Sequence, residues 1–238
     1  MQRYFVDNSI VDNKVTINQD DSHHIKNVMR MSKGDIIEIV KDNRLYLGRI
    51  ISLDSLVDVE IIEEKEEYSE LSIKVTIAQS LVVEAKMDLI LQKTTELGVN
   101  EIIPLMVERS KVNYSSKEDK KLIRWKRIVK EASEQSKRLS IPSISKITTI
   151  NELINMNYDV KVLCSVNEVS TSIKKVLDSV DRCATILIVV GPEGGLSKDE
   201  EEILINNGFI STSFGKRVLR SETSSIYLLS IINYILME

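Results

Sequence analysis

At 238 residues the chain is long enough for one large domain or two smaller ones, and either arrangement can bury a real hydrophobic core. A hydrophobic fraction of 42%, a charged fraction of 29% and only 8 Gly and 3 Pro exclude long disordered tracts. The formal charge of −4 excludes capture of a polyanion by overall attraction, yet charge is unevenly spread: eight acids and one base from Asp54 to Glu70, eleven bases and four acids from Arg109 to Arg138. The second stretch offers either a basic face for a polyanion or a solvated helix surface.

Met1 to Asp7 form no continuous apolar core and predict no signal peptide; the longest apolar-looking run, 226–236, is interrupted by Ser230 and Asn233 and is too short to span a bilayer. Cys164 and Cys183 come with no CxxC pair and no nearby histidines, so a cytoplasmic chain without a disulfide framework or metal site is expected. Short extended segments at 3–5, 14–17, 35–40, 45–51 and 56–62 are interrupted by one helix, for which Asp20, Asp21 and Ser22 offer caps and Ile25, Val28 and Met29 an apolar stripe before Gly34. This pattern predicts a compact β-barrel over residues 1–70. Within it His23 and His24, the only histidines, have just Asp20 and Asp21 nearby, which argues against a metal. The acidic run 63–70 is too polar for core and marks the domain boundary.

From Leu71 onward strands alternate with helices, the sequence form of a parallel sheet covered by helices. Strands are expected at 73–78, 102–105, 160–163, 184–190 and 209–214, and helices at 86–97, 117–138, 172–179, 197–207 and 221–237. The segment 184–190 is near-continuously apolar, as for a strand buried on both faces, and Ser197-Lys198-Asp199-Glu200 reads as a capping box. Between them lies Gly191-Pro192-Glu193-Gly194-Gly195, at the carboxyl end of a strand, where open α/β sheets bind ligands. A tight strand-to-helix connection explains a lone glycine-rich turn equally well. The spacing is neither a P-loop nor a dinucleotide fingerprint.

A second segment raises the odds of a site: Phe214-Gly215-Lys216-Arg217-Val218-Leu219-Arg220-Ser221-Glu222-Thr223-Ser224, after the next strand. Paired with the glycine loop, it resembles the SPOUT class of methyltransferases, and within it the 16S ribosomal RNA uracil-N3 methyltransferase family. Matches in order and spacing extend along nearly the whole chain: Met1-Gln2-Arg3-Tyr4-Phe5, His24-Ile25-Lys26-Asn27-Val28-Met29-Arg30-Met31, Lys86-Met87-Asp88, Gln92-Lys93-Thr94-Thr95-Glu96-Leu97-Gly98-Val99, Glu108-Arg109-Ser110 and Glu134-Gln135-Ser136. Phe214 and Ser224 depart from the family pattern without removing a charged or glycine position.

The resemblance implies an α/β fold: a PUA-like RNA-binding β-barrel over 1–70, then a SPOUT methyltransferase domain over 71–238 with a parallel sheet and a trefoil knot. General topology rules argue against knots, so the knot rests on resemblance alone. It further implies S-adenosylmethionine as cofactor, 16S ribosomal RNA of the small subunit as partner, and a homodimer through helices including the last. Three loops would hold the cofactor: Cys164 and Ser165; Val190, Gly191, Pro192, Glu193, Gly194 and Gly195; and Phe214, Gly215, Val218, Leu219, Arg220, Thr223 and Ser224.

Uridine N3 must lose its imide proton before or as it attacks the sulfonium methyl, which leaves negative charge over N3 and its flanking carbonyls. Arg220 is the first candidate to stabilise that charge, and Glu193 or Glu222 to accept the proton. Glu222 also suits a helix first turn, and Glu193 an ion pair with Arg217 or Arg220. Arg3, Arg30, Arg44, Arg109, Lys111, Arg124 and Arg127 are candidate phosphate contacts, with ordinary surface duties as the alternative. A noncatalytic ribosome-assembly factor and a knotted methyltransferase with another RNA target are the competing functions.

Overall fold

The computed structural model describes residues 1–181 and 184–236, so Cys183 and the expected helix end at Met237 lie outside the described residues. Two units emerge: Met1–Glu70 with Ser133–Ser140, and Leu71–Ala132 with Ile141–Glu238. The segment 133–140 thus belongs with the N-terminal unit, where the sequence reading had kept it in the second.

In the first unit a five-stranded sheet has the order β1-β3-β4-β5-β2. Its strands are β1 (Arg3–Phe5), β2 (Lys14–Thr16), β3 (Ile36–Lys41), β4 (Arg44–Ser52) and β5 (Asp58–Lys65). Alternating apolar residues bring Tyr4, Val15, Ile37, Ile39, Ile50 and Val59 into one core. Asp42 and Asn43, both at positive φ, make the two-residue turn whose twist suits the β3–β4 hairpin. Residues 63–65 of the acidic run continue β5 instead of leaving the sheet.

The helix of this unit starts elsewhere than expected. Asn18, not Asp20, Asp21 or Ser22, caps α1 (Gln19–His23), accepting a hydrogen bond from the Asp21 amide at 2.9 Å. A π-helical turn, His24–Val28, follows, closed by the Met29 amide donating to the His24 carbonyl at 2.9 Å. One extra residue in the turn rotates the apolar stripe out of phase. Ile25 stays buried while Val28 and Met29 face solvent.

Arg3, expected to touch RNA, is instead 2% exposed. Its guanidinium donates to Glu38 at 2.9 Å, Glu67 at 2.7 Å and the Lys137 and Arg138 carbonyls at 2.5 and 3.1 Å. Lys137 pairs with Glu38 at 2.8 Å, and Arg138 with Glu70 at 2.5 Å. Two carboxylates of the acidic run therefore anchor 137–140, because a buried guanidinium needs every donor matched.

In the second unit a seven-stranded sheet among the described residues has the order β12-β10-β11-β6-β7-β8, with β9 also on β7, and every pairing is parallel. The strands are β6 (Lys74–Ser80), β7 (Glu101–Met106), β8 (Ser143–Ile144), β9 (Thr148–Thr149), β10 (Val160–Cys164), β11 (Thr185–Val190) and β12 (Ile210–Thr212). Helices α2 (Glu84–Glu96), α3 (Glu118–Gln135), α4 (Ile150–Leu153), α5 (Ile173–Leu177), α6 (Lys198–Asn206) and α7 (Ser221–Leu236) connect and cover them. On β11, Ile186, Ile188 and Val190 enter one core while Leu187 and Val189 enter another, so the central strand is covered on both faces. On α7, Ser225, Leu228, Leu229 and Ile232 are buried within the same unit. No helix among the described residues is long and apolar enough to cross a membrane.

The Arg3 network carries a pH signature. Burial alone would raise the Glu38 carboxyl, but hydrogen bonds and charges from Lys137 and Arg3 outweigh it and leave it below its ordinary value. Burial would likewise raise the Glu70 carboxyl, but Arg138, with Ser140 and the Leu139 amide, outweighs it and holds Glu70 below its ordinary value. Carboxylates lowered on folding stabilise the chain above the ordinary carboxylate range and lose that contribution as pH falls through their folded values. Arg3→Ala is expected to cost about 3 kcal/mol at neutral pH, and to shrink the loss of stability on acidification. Urea denaturation at several pH values measures both; a cost below about 1 kcal/mol contradicts the role.

Candidate functional site

Because every strand of the second sheet runs the same way, the chain leaves β10, β11 and β12 at one edge. A cleft opens there, lined by Cys164, Ser165 and Val166 after β10, and by Gly191, Pro192, Gly195 and Leu196 after β11. Residues Ser213 to Leu219 after β12, with Ser221 and Ser224 of α7, complete it. The three loops expected to meet do meet. Within them Glu193, Gly194, Arg220 and Thr223 fall outside the lining. Glu168, Val169, Glu201, Lys216 and Arg217 line the cleft without having been singled out for it.

The glycines divide by task. Gly195 has φ +67°, in the left-handed region, and a Cβ on Gly191 would meet Leu196 N at 3.4 Å and Gly195 Cα at 3.5 Å, inside the loop's own curl. Gly194 faces away: its Cβ would meet the Arg109 side chain at 3.5 Å, in ordinary contact. The Arg109 guanidinium donates to the Gly194 carbonyl at 3.0 Å and the Leu196 carbonyl at 3.1 Å.

A buried polar relay joins the loop to α7. Gln79, fully buried at the end of β6, donates to Ser221 Oγ at 3.0 Å and accepts from Ser225 Oγ at 2.5 Å. Ser221 Oγ in turn donates to the Gly191 carbonyl at 2.7 Å. Sequence reasoning missed all three; the one signal was a glutamine near the carboxyl end of a strand that is otherwise buried apart from Lys74.

Charged groups gather on the far side of the loop. Glu193 is paired with Lys111 at 2.6 Å and with Lys86, which also lies 3.4 Å from Glu222. Hydrogen bonds from Lys111 and then Lys86 hold the Glu193 carboxyl down at about 2, and Glu193 in turn raises the Lys86 ammonium. Glu222 is 9% exposed and its Oε2 has no hydrogen-bond partner among the described residues. Burial pushes the Cys164 thiol well above its ordinary value, so it serves as a neutral wall.

Of the expected phosphate contacts, Arg109 and Lys111 hold the loop, Arg44 lies 3.4 Å from Glu64, and Arg124 is shared between Asp88 at 2.6 Å and Glu84 at 3.2 Å. Arg127 is 71% exposed with only Glu131 beside it at 3.4 Å. Arg30 and Arg220 are exposed and form no ion pair among the described residues.

Residues 69–233 match the RNA methyltransferase domain and residues 17–62 the RNA methyltransferase PUA domain. The ribosomal RNA small subunit methyltransferase E of Bacillus subtilis is 36% identical, over 98% of this chain and 96% of its own length. The chain belongs to the ribosomal RNA small subunit methyltransferase E family. A family structure from Neisseria gonorrhoeae, bound to S-adenosylmethionine, superposes with TM-score 0.89 at 28% identity, covering 99% of this chain and 98% of that one. A Legionella pneumophila protein, solved with the same molecule, gives TM-score 0.90 at 26% identity, covering 98% and 97%. The family match includes the small curled sheet of the first unit, which is PUA-like.

Within this family fold the glycines should respond unequally. Gly195→Ala is expected to lose about 1–2 kcal/mol of stability through its left-handed backbone, whereas Gly194→Ala should stay within about 0.5 kcal/mol. Thermal denaturation of the two variants tests this, and an equal loss at both positions would contradict the division of labour.

Proposed function

We propose that the chain methylates N3 of a uridine in 16S ribosomal RNA of the small subunit, in the cytoplasm, using S-adenosylmethionine. The observation that carries this reading is the convergence of three loops on one cleft in a domain of this family. The cleft suits the cofactor: Cys164, Val190, Leu196 and Leu219 offer neutral walls for an adenine, while Glu201 and Lys216 present both signs of charge to an amino acid. When bound, the cofactor supplies an electrophilic methyl group.

The remaining work falls to this chain's own side chains. Arg220 has no ion pair among the described residues and stands next to the lining residue Leu219, so its guanidinium is available to stabilise negative charge spread over the uracil. Glu222 takes the imide proton, since a carboxylate as weakly basic as Glu193 is a poor acceptor. Nuclease digestion and mass spectrometry of treated small subunits should show 3-methyluridine; another methylated nucleotide overturns the target. Arg220→Ala should lower kcat at saturating cofactor, and Glu222→Gln should lower it by about 10²–10⁴-fold. A defect in Arg220→Ala that more cofactor rescues would move Arg220 to the cofactor shell.

The PUA-like unit and the basic stretch of α3 are read as the RNA-binding parts, with Arg30 and Arg127 as phosphate contacts. Replacing either by Ala should flatten the log–log salt dependence of RNA affinity by about 0.7–0.9; an unchanged slope removes that residue from the interface. The chain is also read as a homodimer: Phe214, Tyr227, Ile231, Tyr234 and Ile235 form an open apolar surface beside α7, with Tyr234 86% exposed. Light scattering that gives a monomer mass refutes the dimer.

A further inference from the structure

The glycine loop has little to hold its own shape. Three of its five residues are glycine, and its internal support is one turn, the Gly195 amide donating to the Pro192 carbonyl at 3.0 Å. A chain so free costs entropy to fix in one form. The segment after β7 meets this loop and the helix start behind it at successive points. Lys111 pairs with Glu193 at 2.6 Å, and Arg109 donates to the carbonyls of Gly194 and Leu196, on either side of the left-handed Gly195. The Glu108 amide donates to Glu200 at 2.8 Å, and Glu200 also accepts from the Ser197 amide at 2.9 Å in the cap of α6. The segment is itself anchored, because the Ser110 amide donates to the Val107 carbonyl at 3.1 Å and the Val107 amide to Ser110 Oγ at 3.3 Å.

We propose that residues 107–111 form a brace that preorganises the loop 191–196 for S-adenosylmethionine, with Arg109 as a positioning residue and not a phosphate contact. The inference rests on the functional reading above for the identity of the ligand, but the bracing itself is a property of the free chain. Arg109 acts from behind. Its stem lies along Gly194 and its charge neutralises two carbonyl dipoles turned away from the cleft, so the loop is presented already curled.

Arg109→Ala and Arg109→Lys, in the full chain, separate the possibilities. Amide hydrogen exchange at residues 193–196 should accelerate by about tenfold in Arg109→Ala, with thermal stability near that of the parent. The dissociation constant and KM for S-adenosylmethionine should rise by about tenfold, while kcat at saturating cofactor stays within about twofold. Arg109→Lys keeps the charge with a single donor group and should recover part of the affinity. RNA affinity and its salt slope should be unchanged in both, in contrast to Arg30→Ala. Unchanged exchange in the loop of a folded variant overturns the brace, and so does a flattened salt slope with parental cofactor affinity. Should Arg109→Ala not fold, Arg109→Lys gives the same readings. If exchange accelerates but the parent chain does not bind S-adenosylmethionine, the brace stands and the functional reading falls.

Discussion

The second unit depends on one constraint: every strand of its sheet points the same way. Parallel strands cannot be joined by tight hairpins, so each connection must cross over and return, and helices end up on both faces. That is why β11 carries apolar side chains toward both cores and why the loops after β10, β11 and β12 emerge at one edge. Placed next to one another by the strand order, they make a cleft from segments far apart in the chain. Few side chains need to be specialised, because backbone curvature at Gly191 and Gly195 supplies the shape. The buried Gln79 relay then locks that shape to α7: its amide satisfies two serines and, through Ser221, a loop carbonyl, and such a fully matched network is rigid because any change leaves a buried group unpaired.

Charge in this chain is mostly spent inward. The acidic run 63–70 reads as a domain boundary and the basic stretch 109–138 as a face for a polyanion or a solvated helix surface, yet Glu67, Glu70, Lys137 and Arg138 hold the 133–140 segment together with Arg3. Arg124, Lys121, Glu84 and Asp88 are similarly engaged between α2 and α3. What is left for a polyanion is a short set of exposed bases, among them Arg30 and Arg127, the latter beside only the exposed Glu131 among the described residues. An RNA partner of such a chain must be recognised by shape and a few well-placed contacts, since the net charge of −4 gives no general attraction.

How much could be read from the sequence follows from the range of each interaction. Strands of five or more residues and capped helices declare themselves locally, as β11 and the Ser197 capping box do. Strands β8 and β9 have two residues each and exist only because β7 offers an edge, so no local pattern announces them. The π-turn at His24–Val28 changes which residues face the core without any breaker residue to mark it. The glycine loop was legible as a site, but not which glycine faced the cleft, because that depends on Arg109 arriving from 85 residues away. Likewise Arg3 sits in an ordinary apolar strand, and only its partners at 38, 67, 137 and 138 reveal it as an internal anchor.

The same reasoning about partners decides between the two carboxylates near the cleft. Both touch Lys86. Hydrogen bonds from Lys111 and then Lys86, with their charges, hold the Glu193 carboxyl down at about 2, so it stays ionised. Glu222 meets Lys86 at 3.4 Å, and its Oε2 has no hydrogen-bond partner among the described residues. Glu193 therefore acts as the fixed counter-ion that keeps Lys86 and Lys111 on the loop, while Glu222 is the carboxylate of the two that keeps an oxygen open to another partner.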